Sequence, residues 1–160
     1  MRLVVIAVGR LKKGPERDLA ARFEDRIAKA GRAIGCRPVE IVEIDESRAR
    51  EAADRVKQEC KIIIGALPAR AATIVFDERG EAWSSDAFAK RLGRFRDEGH
   101  EAVAFVIGGP DGVAEAMRQR ADSVVSFGKM TFPHQLVRIM LLEQLYRAIM
   151  ILSGHPYHRA

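Results

Sequence analysis

Val103-Ala104-Phe105-Val106-Ile107 is an unbroken apolar run rich in β-branched and aromatic side chains. A run of this kind fits a strand buried on both faces, which needs a layer of structure on each side of its sheet. The same short β-branched signal recurs at Leu3–Val8, Val39–Ile44, Ala72–Phe76 and Ser123–Phe127. Helical patterns fill the spaces between. Pro15–Arg32 places Leu19, Phe23, Ile27 and Ala30 on one face. Ser47 reads as the N-cap of a helix running through Ala52, Val56, Cys60 and Ile63 and ending before Pro68. Ser85–Arg96, Gly112–Arg120 and Pro133–Leu152 are the remaining helices, with Asp77–Gly80 as a turn. Five strands alternating with helices predict an α/β fold with a parallel, doubly wound sheet.

The chain of 160 residues predicts one domain over 1–160, with no linker or repeat. Its net charge of +5 permits an anionic partner such as RNA without demanding one, since a solvated basic surface explains it equally well. Cys36 and Cys60 are far apart and outside any metal-ligand spacing, so they read as small buried hydrophobes of a reducing compartment. The apolar Leu3–Val8 run is too short for a signal peptide, and no run approaches a membrane span. The expected location is the cytoplasm.

In open α/β sheets, ligands sit beyond the carboxyl ends of the strands. Asp77–Gly80, Gly108–Gly112 and Gly128–Phe132 occupy such ends. Gly108-Gly109-Pro110-Asp111-Gly112 lets backbone approach a ligand, and Asp111 reads as an N-cap. It is not the dinucleotide fingerprint G-x-G-x-x-G. Gly128-Lys129-Met130 is not a phosphate loop either: Ser123 replaces the earlier glycine, and Met130 stands where a hydroxyl is required. Two glycine-bearing loops at successive strand ends predict a pocket. Lys129 and His134 lie beside it in sequence; by itself Lys129 reads as an exposed charge and His134 as a first-turn helix residue bonded to a nearby carbonyl. No catalytic triad, carboxylate pair or metal cluster can be read from spacing. In the last helix, Leu136, Ile139, Met140, Leu142, Leu145, Ile149 and Leu152 form an apolar surface that Leu141, Tyr146, Met150 and Ile151 widen. That breadth predicts core packing plus a subunit interface. Glu143 and Arg147 are spaced to pair across one turn.

Four motifs together carry a family resemblance. They are Gly108-Gly109-Pro110-Asp111-Gly112; Ser126-Phe127-Gly128-Lys129-Met130-Thr131-Phe132-Pro133-His134-Gln135; Glu143-Gln144-Leu145-Tyr146-Arg147-Ala148; and His155-Pro156-Tyr157-His158-Arg159. Over nearly its whole length the chain resembles the ribosomal RNA large-subunit methyltransferase H family of the SPOUT superfamily. The resemblance implies a C-terminal trefoil knot, a topology that periodicity does not reveal. It implies S-adenosylmethionine as cofactor, held at Phe76, Gly108, Phe127, Gly128, Lys129, Met130, Thr131 and Phe132. Phe76 stands where a leucine is expected. The resemblance further implies a homodimer that methylates N3 of a pseudouridine in 23S rRNA of assembled ribosomes.

Pseudouridine N3 carries a proton that must leave before the nitrogen attacks. His158, with Tyr157 and Arg147, is the candidate set for holding the base, removing that proton and balancing the developing charge. The competing role for this tail is closing the pocket and binding phosphate. Two other functions fit the fold: a SPOUT methyltransferase acting on another RNA such as tRNA, and a non-catalytic RNA-binding α/β module. The tail resembles the family ending, against the first; the second predicts no cofactor binding.

Overall fold

The computed structural model describes residues 1–156. Five parallel strands stand in the order β2-β1-β4-β3-β5: β1 (Arg2–Val8), β2 (Val39–Ile44), β3 (Ala72–Ala82), β4 (Ala102–Ile107) and β5 (Ser123–Ser126). β4 lies in the middle and is buried along its whole length. Alternate residues of each strand point to opposite faces, so a two-sided strand feeds two cores. Leu3, Val5, Val103, Phe105 and Ile107 pack under α1 (Pro15–Ala30), α3 (Ser85–Asp97) and α5 (His134–Leu152). Val4, Ile6, Ala104 and Val106 pack under α2 (Ala52–Ala66) and α4 (Glu115–Arg120). The doubly wound parallel sheet is therefore as predicted. Cys36 and Cys60 are both free and buried. Among the described residues, no helix is long and apolar enough to cross a membrane.

Several boundaries differ from expectation, each for a local reason. α1 stops at Ala30, and a 3-10 turn over Gly31–Ile34 follows it. Ser47 does not cap α2, which begins after Glu51. Its hydroxyl instead accepts from the Ala49 N–H at 3.2 Å, and its own N–H donates to Glu59 at 2.8 Å. Asp111 does not cap α4 either, because Arg55 holds its carboxylate at 2.7 and 3.0 Å. Ala114 takes the cap position and α4 shortens to Glu115–Arg120. The Asp77–Gly80 turn is an excursion within β3: pairing to β5 breaks after Phe76 and resumes at Glu81, opposite Val125.

Candidate functional site

The three loops singled out above converge on one cavity of about 770 Å³ over the carboxyl ends of β3, β4 and β5. Its wall runs through 76–79, 107–113, 125–128 and 130–134, with Arg118 and Val137 completing it. That volume suits a drug-sized or cofactor-sized ligand. Phe76, at the end of β3, is buried, and its ring stacks on that of Phe127 with centroids 5.0 Å apart and planes at 18°. The pair gives the cavity an aromatic floor, backed by Phe88, whose ring meets Phe76 edge-on. A stacked pair of this kind contributes about 0.5–1.5 kcal/mol beyond its area.

Gly108, Gly109, Gly112 and Gly128 form part of the remaining wall. Gly108 follows β4 where the loop folds back on itself; a Cβ there would stand 2.5 Å from the Gly112 carbonyl oxygen. Only glycine permits that approach. The loop is fastened from outside by the Arg55–Asp111 pair. The guanidinium holds the Asp111 carboxyl below its ordinary range. The same Arg55 donates to the carbonyls of Ala49 and Arg50 at 3.0 and 2.8 Å, tying the β2–α2 connection to the glycine loop. On β5, the Ser126 hydroxyl accepts from the Gly128 N–H at 3.1 Å and donates to the Gly128 carbonyl at 2.7 Å, fixing the turn into the next segment.

One charged pair lines the wall. Arg118 meets Asp77 at 2.9 Å, with the Asp77 side chain only 6% exposed. Burial opposes the Arg118 charge, but bonds to Glu115 and Asp77 outweigh it and raise its pKa above the ordinary value. Asp77 also accepts from the Arg79 N–H at 2.9 Å, so both of its oxygens are engaged.

From β5 the chain crosses to the end of β1, where α5 begins. His134, in the first turn of α5, lines the cavity and sits 3.6 Å from the Glu46 carboxylate. It also lies so close to Gly9 that a Cβ there would meet Nε2 at 2.6 Å. One turn on, Arg138 is fully buried and donates to the Gly9 carbonyl at 2.6 Å and to Glu43 at 2.5 Å. Burial alone would raise the Glu43 carboxyl; the Leu11 N–H and the Arg138 guanidinium outweigh burial and hold it low. Arg138 Nε has no hydrogen-bond partner among the described residues. This buried arginine clamps the start of α5, and with it one wall of the cavity, onto β1 and β2.

Of the residues named from sequence, Phe76, Gly108, Phe127, Gly128, Met130, Thr131 and Phe132 are brought together around the cavity. Lys129 is exposed and is not part of the wall. Arg147 is elsewhere: it lies ten residues past Val137 on α5, about 15 Å along the helix axis. There it pairs with Glu143 at 3.0 Å, as its spacing predicts. Tyr157 and His158 lie outside the described residues. Sequence reasoning missed the Arg118–Asp77 and Arg138–Glu43 pairs. Arg138 did leave a signal, as the one charge within Leu136–Leu142.

The family described as "Predicted SPOUT methyltransferase" matches residues 1–158. The chain is 55% identical to the ribosomal RNA large subunit methyltransferase H of Xanthobacter autotrophicus, over 100% of both chains. It is 52% identical to the protein of that name from Methylorubrum populi, over 99% of this chain and 97% of the relative. With the one from Rhodopseudomonas palustris the figure is 54%, over 100% of both. Among solved structures, the SpoU methyltransferase AviRb from Streptomyces viridochromogenes, in complex with AdoMet, is similar with a TM-score of 0.44 and 12% identity, over 91% of this chain and 57% of that one. At that distance it carries no conclusion about the site. Full-length identity above one half, on a sheet whose glycine-bearing loops close a single cavity, places the chain in the ribosomal RNA large subunit methyltransferase H family of SPOUT methyltransferases.

Proposed function

We propose that this protein transfers a methyl group from S-adenosylmethionine to N3 of a pseudouridine in large-subunit ribosomal RNA. In this reading it works in the cytoplasm as a homodimer on assembled ribosomes. The observation that carries the reading is the meeting of Phe76, Gly108, Phe127, Gly128, Met130, Thr131 and Phe132 around one cavity in a chain of this family. The cavity fits the cofactor in size, in its glycine-bearing wall and in its aromatic floor.

S-adenosylmethionine, when bound, supplies a methyl group already activated as a sulfonium, so the protein's work is mainly positioning. Backbone N–H and C=O groups of the Gly108–Gly112 loop and the Phe127–Phe132 run would hold the polar edge of the adenine. Phe76 and Phe127 offer an apolar face beneath. The same run is the segment that the implied trefoil knot would thread. For N3 to accept that methyl group, its proton would have to pass to a base of the protein. His158 fits that role with Tyr157 beside it, and Arg147 offsets the negative charge developing on the pyrimidine. Arg147 lies about 15 Å along α5 from the cavity-lining Val137 and is not part of the cavity wall. A second protomer would supply it, which accords with the broad apolar character of α5.

The test is methyl transfer from labelled cofactor to ribosomes of a strain lacking the modification, with the nucleoside identified by mass spectrometry. Label in N3-methylpseudouridine supports the assignment, and label in any other nucleoside or in tRNA overturns it. His158→Ala in single turnover at saturating RNA separates the two roles of the tail. An unchanged rate removes His158 from the chemistry and leaves it as a lid.

A further inference from the structure

The connection from β1 to α1, Gly9-Arg10-Leu11-Lys12-Lys13-Gly14, holds three cations and no acid. It is not a loose loop. Arg10 spends its charge on Asp45, at 2.6 and 3.3 Å. The Leu11 N–H donates to Glu43 at 3.0 Å, and the Leu11 side chain packs against the core. Glu43 is in turn held by the buried Arg138. The anchoring pins the middle of the connection and leaves Lys12 and Lys13 exposed, with no carboxylate partner among the described residues. The nearest acids in sequence, Glu16 and Asp18, lie in the first turn of α1 and make no ion pair with either lysine.

The position is as telling as the charge. The connection starts at Gly9, against which the cavity-lining His134 is packed. Lys12 is three residues on, so its Cα lies within about 10 Å of Gly9. Two exposed lysines with no carboxylate partner among the described residues thus follow Gly9 and its neighbour His134 on an anchored stretch of backbone. A solvated lysine pair needs no such anchoring, whereas a phosphate contact gains from it because less freedom is lost on binding.

We propose that Lys12 and Lys13 form a phosphate clamp that grips the RNA backbone next to the target nucleotide. This assignment rests on the rRNA methyltransferase reading above and adds where the RNA is held. The partner is a polyanion with regularly spaced phosphates, bound mainly through charge and displaced by salt.

The experiment measures binding of unmodified ribosomes to the full-length protein, wild type and Lys12→Ala/Lys13→Ala, as a function of salt. Each lost phosphate contact lowers the slope of log K against log salt by about 0.7–0.9. Two lost contacts mean that, between 50 and 200 mM salt, the wild type loses roughly 7–12-fold more affinity than the variant. Lys12→Arg/Lys13→Arg retains the wild-type slope. Cofactor binding by calorimetry and the rate at saturating ribosomes stay unchanged, so the effect falls on KM. An unchanged slope in the alanine variant overturns the clamp. So does a loss of cofactor affinity, which would assign the loop to the cofactor site, or equal damage from the arginine variant. Competition by polyglutamate as strong as that by poly(U) at matched charge overturns it in favour of an acidic protein partner. A wild type that binds ribosomes with a steep salt slope yet methylates nothing refutes the proposed reaction while the variants still test the clamp. A wild type with no affinity for RNA refutes both.

Discussion

Adding one methyl group at Gly108 tests whether the cavity depends on close backbone approach. In Gly108→Ala the new Cβ would stand 2.5 Å from the Gly112 carbonyl oxygen, 2.7 Å from Val113 Cγ2 and 2.8 Å from the Gly112 carbonyl carbon. Two of these neighbours are backbone, so the clash is not relieved by a side-chain rotation. Ordinary contact begins at 3.4 Å, so the two limbs of the loop must part by about 0.9 Å. Overpacking of this kind costs about 1–3 kcal/mol. For a chain of this size that lowers Tm by roughly 2–12 °C. The effect on function is larger, because a displacement near 1 Å in a positioning wall costs up to about 100-fold. Calorimetry should show S-adenosylmethionine affinity falling by about ten- to a hundredfold. The internal control is Gly65→Ala on α2, where an added Cβ meets nothing within 4 Å. There the same substitution should stabilise by about 0.4–1 kcal/mol through a stiffer unfolded chain. If Gly108→Ala keeps its Tm and binds the cofactor within about twofold of wild type, the wall is not built on that approach.

Three further outcomes follow from the buried charges and the aromatic floor. Arg138→Met strands the Glu43 carboxylate and the Gly9 carbonyl, and should lower stability in urea by about 3–5 kcal/mol. Adding Glu43→Leu should restore part of it, and a strictly additive double variant would refute the pairing. Glu59, buried beneath the β2–α2 connection, has its carboxyl raised chiefly by desolvation, against the Ser47 N–H bond that lowers it. The native state therefore holds this proton more tightly than the unfolded chain does. Its contribution is full below the ordinary value of 4.5 and is lost as pH rises through the raised native value. Glu43 has the opposite sign: its stabilisation is present above 4.5 and is lost as pH falls through the lowered native value. Urea midpoints against pH should flatten above 4.5 in Glu59→Gln and below 4.5 in Glu43→Gln; wild-type curvature in either variant refutes that assignment. Phe76→Leu removes the ring stacked on Phe127 and should cost about 1–2 kcal/mol in urea unfolding. Cofactor affinity should stay within about threefold if Phe76 meets the cofactor through its backbone, and a larger loss would show that the ring is the contact.

The strands were legible because β1 and β4 are buried on both sides, and such strands write themselves as continuous apolar runs. The cavity was legible because ligand-binding loops of a parallel sheet follow strand ends, where the glycines stood. What failed were the starts of α2 and α4. Ser47 and Asp111 have the side chains of N-caps, but Gln58 and Arg55, 11 and 56 residues away, draw those side chains into tertiary bonds. Local propensity cannot report a partner so distant in sequence. The jump in register between Phe76 and Glu81 escaped for the same reason: it depends on β5, which arrives more than forty residues later. Arg138 was visible as a lone charge in an apolar helix, but its meaning required Glu43 and the Gly9 carbonyl.

Cys36 and Cys60 lie in different cores, one with α1, α3 and α5, the other with α2 and α4. The sheet separates them, so they do not meet in the native fold. Burial raises both thiols above their ordinary range, which keeps the reactive thiolate scarce until a layer opens. The chain thus contains one thiol probe for each layer. Pulsed alkylation followed by mass spectrometry reads the opening of each from its own cysteine. Equal protection at the two sites would mean that the molecule opens as a unit. Unequal protection would identify the layer that lets go first, with no label engineered into the sequence.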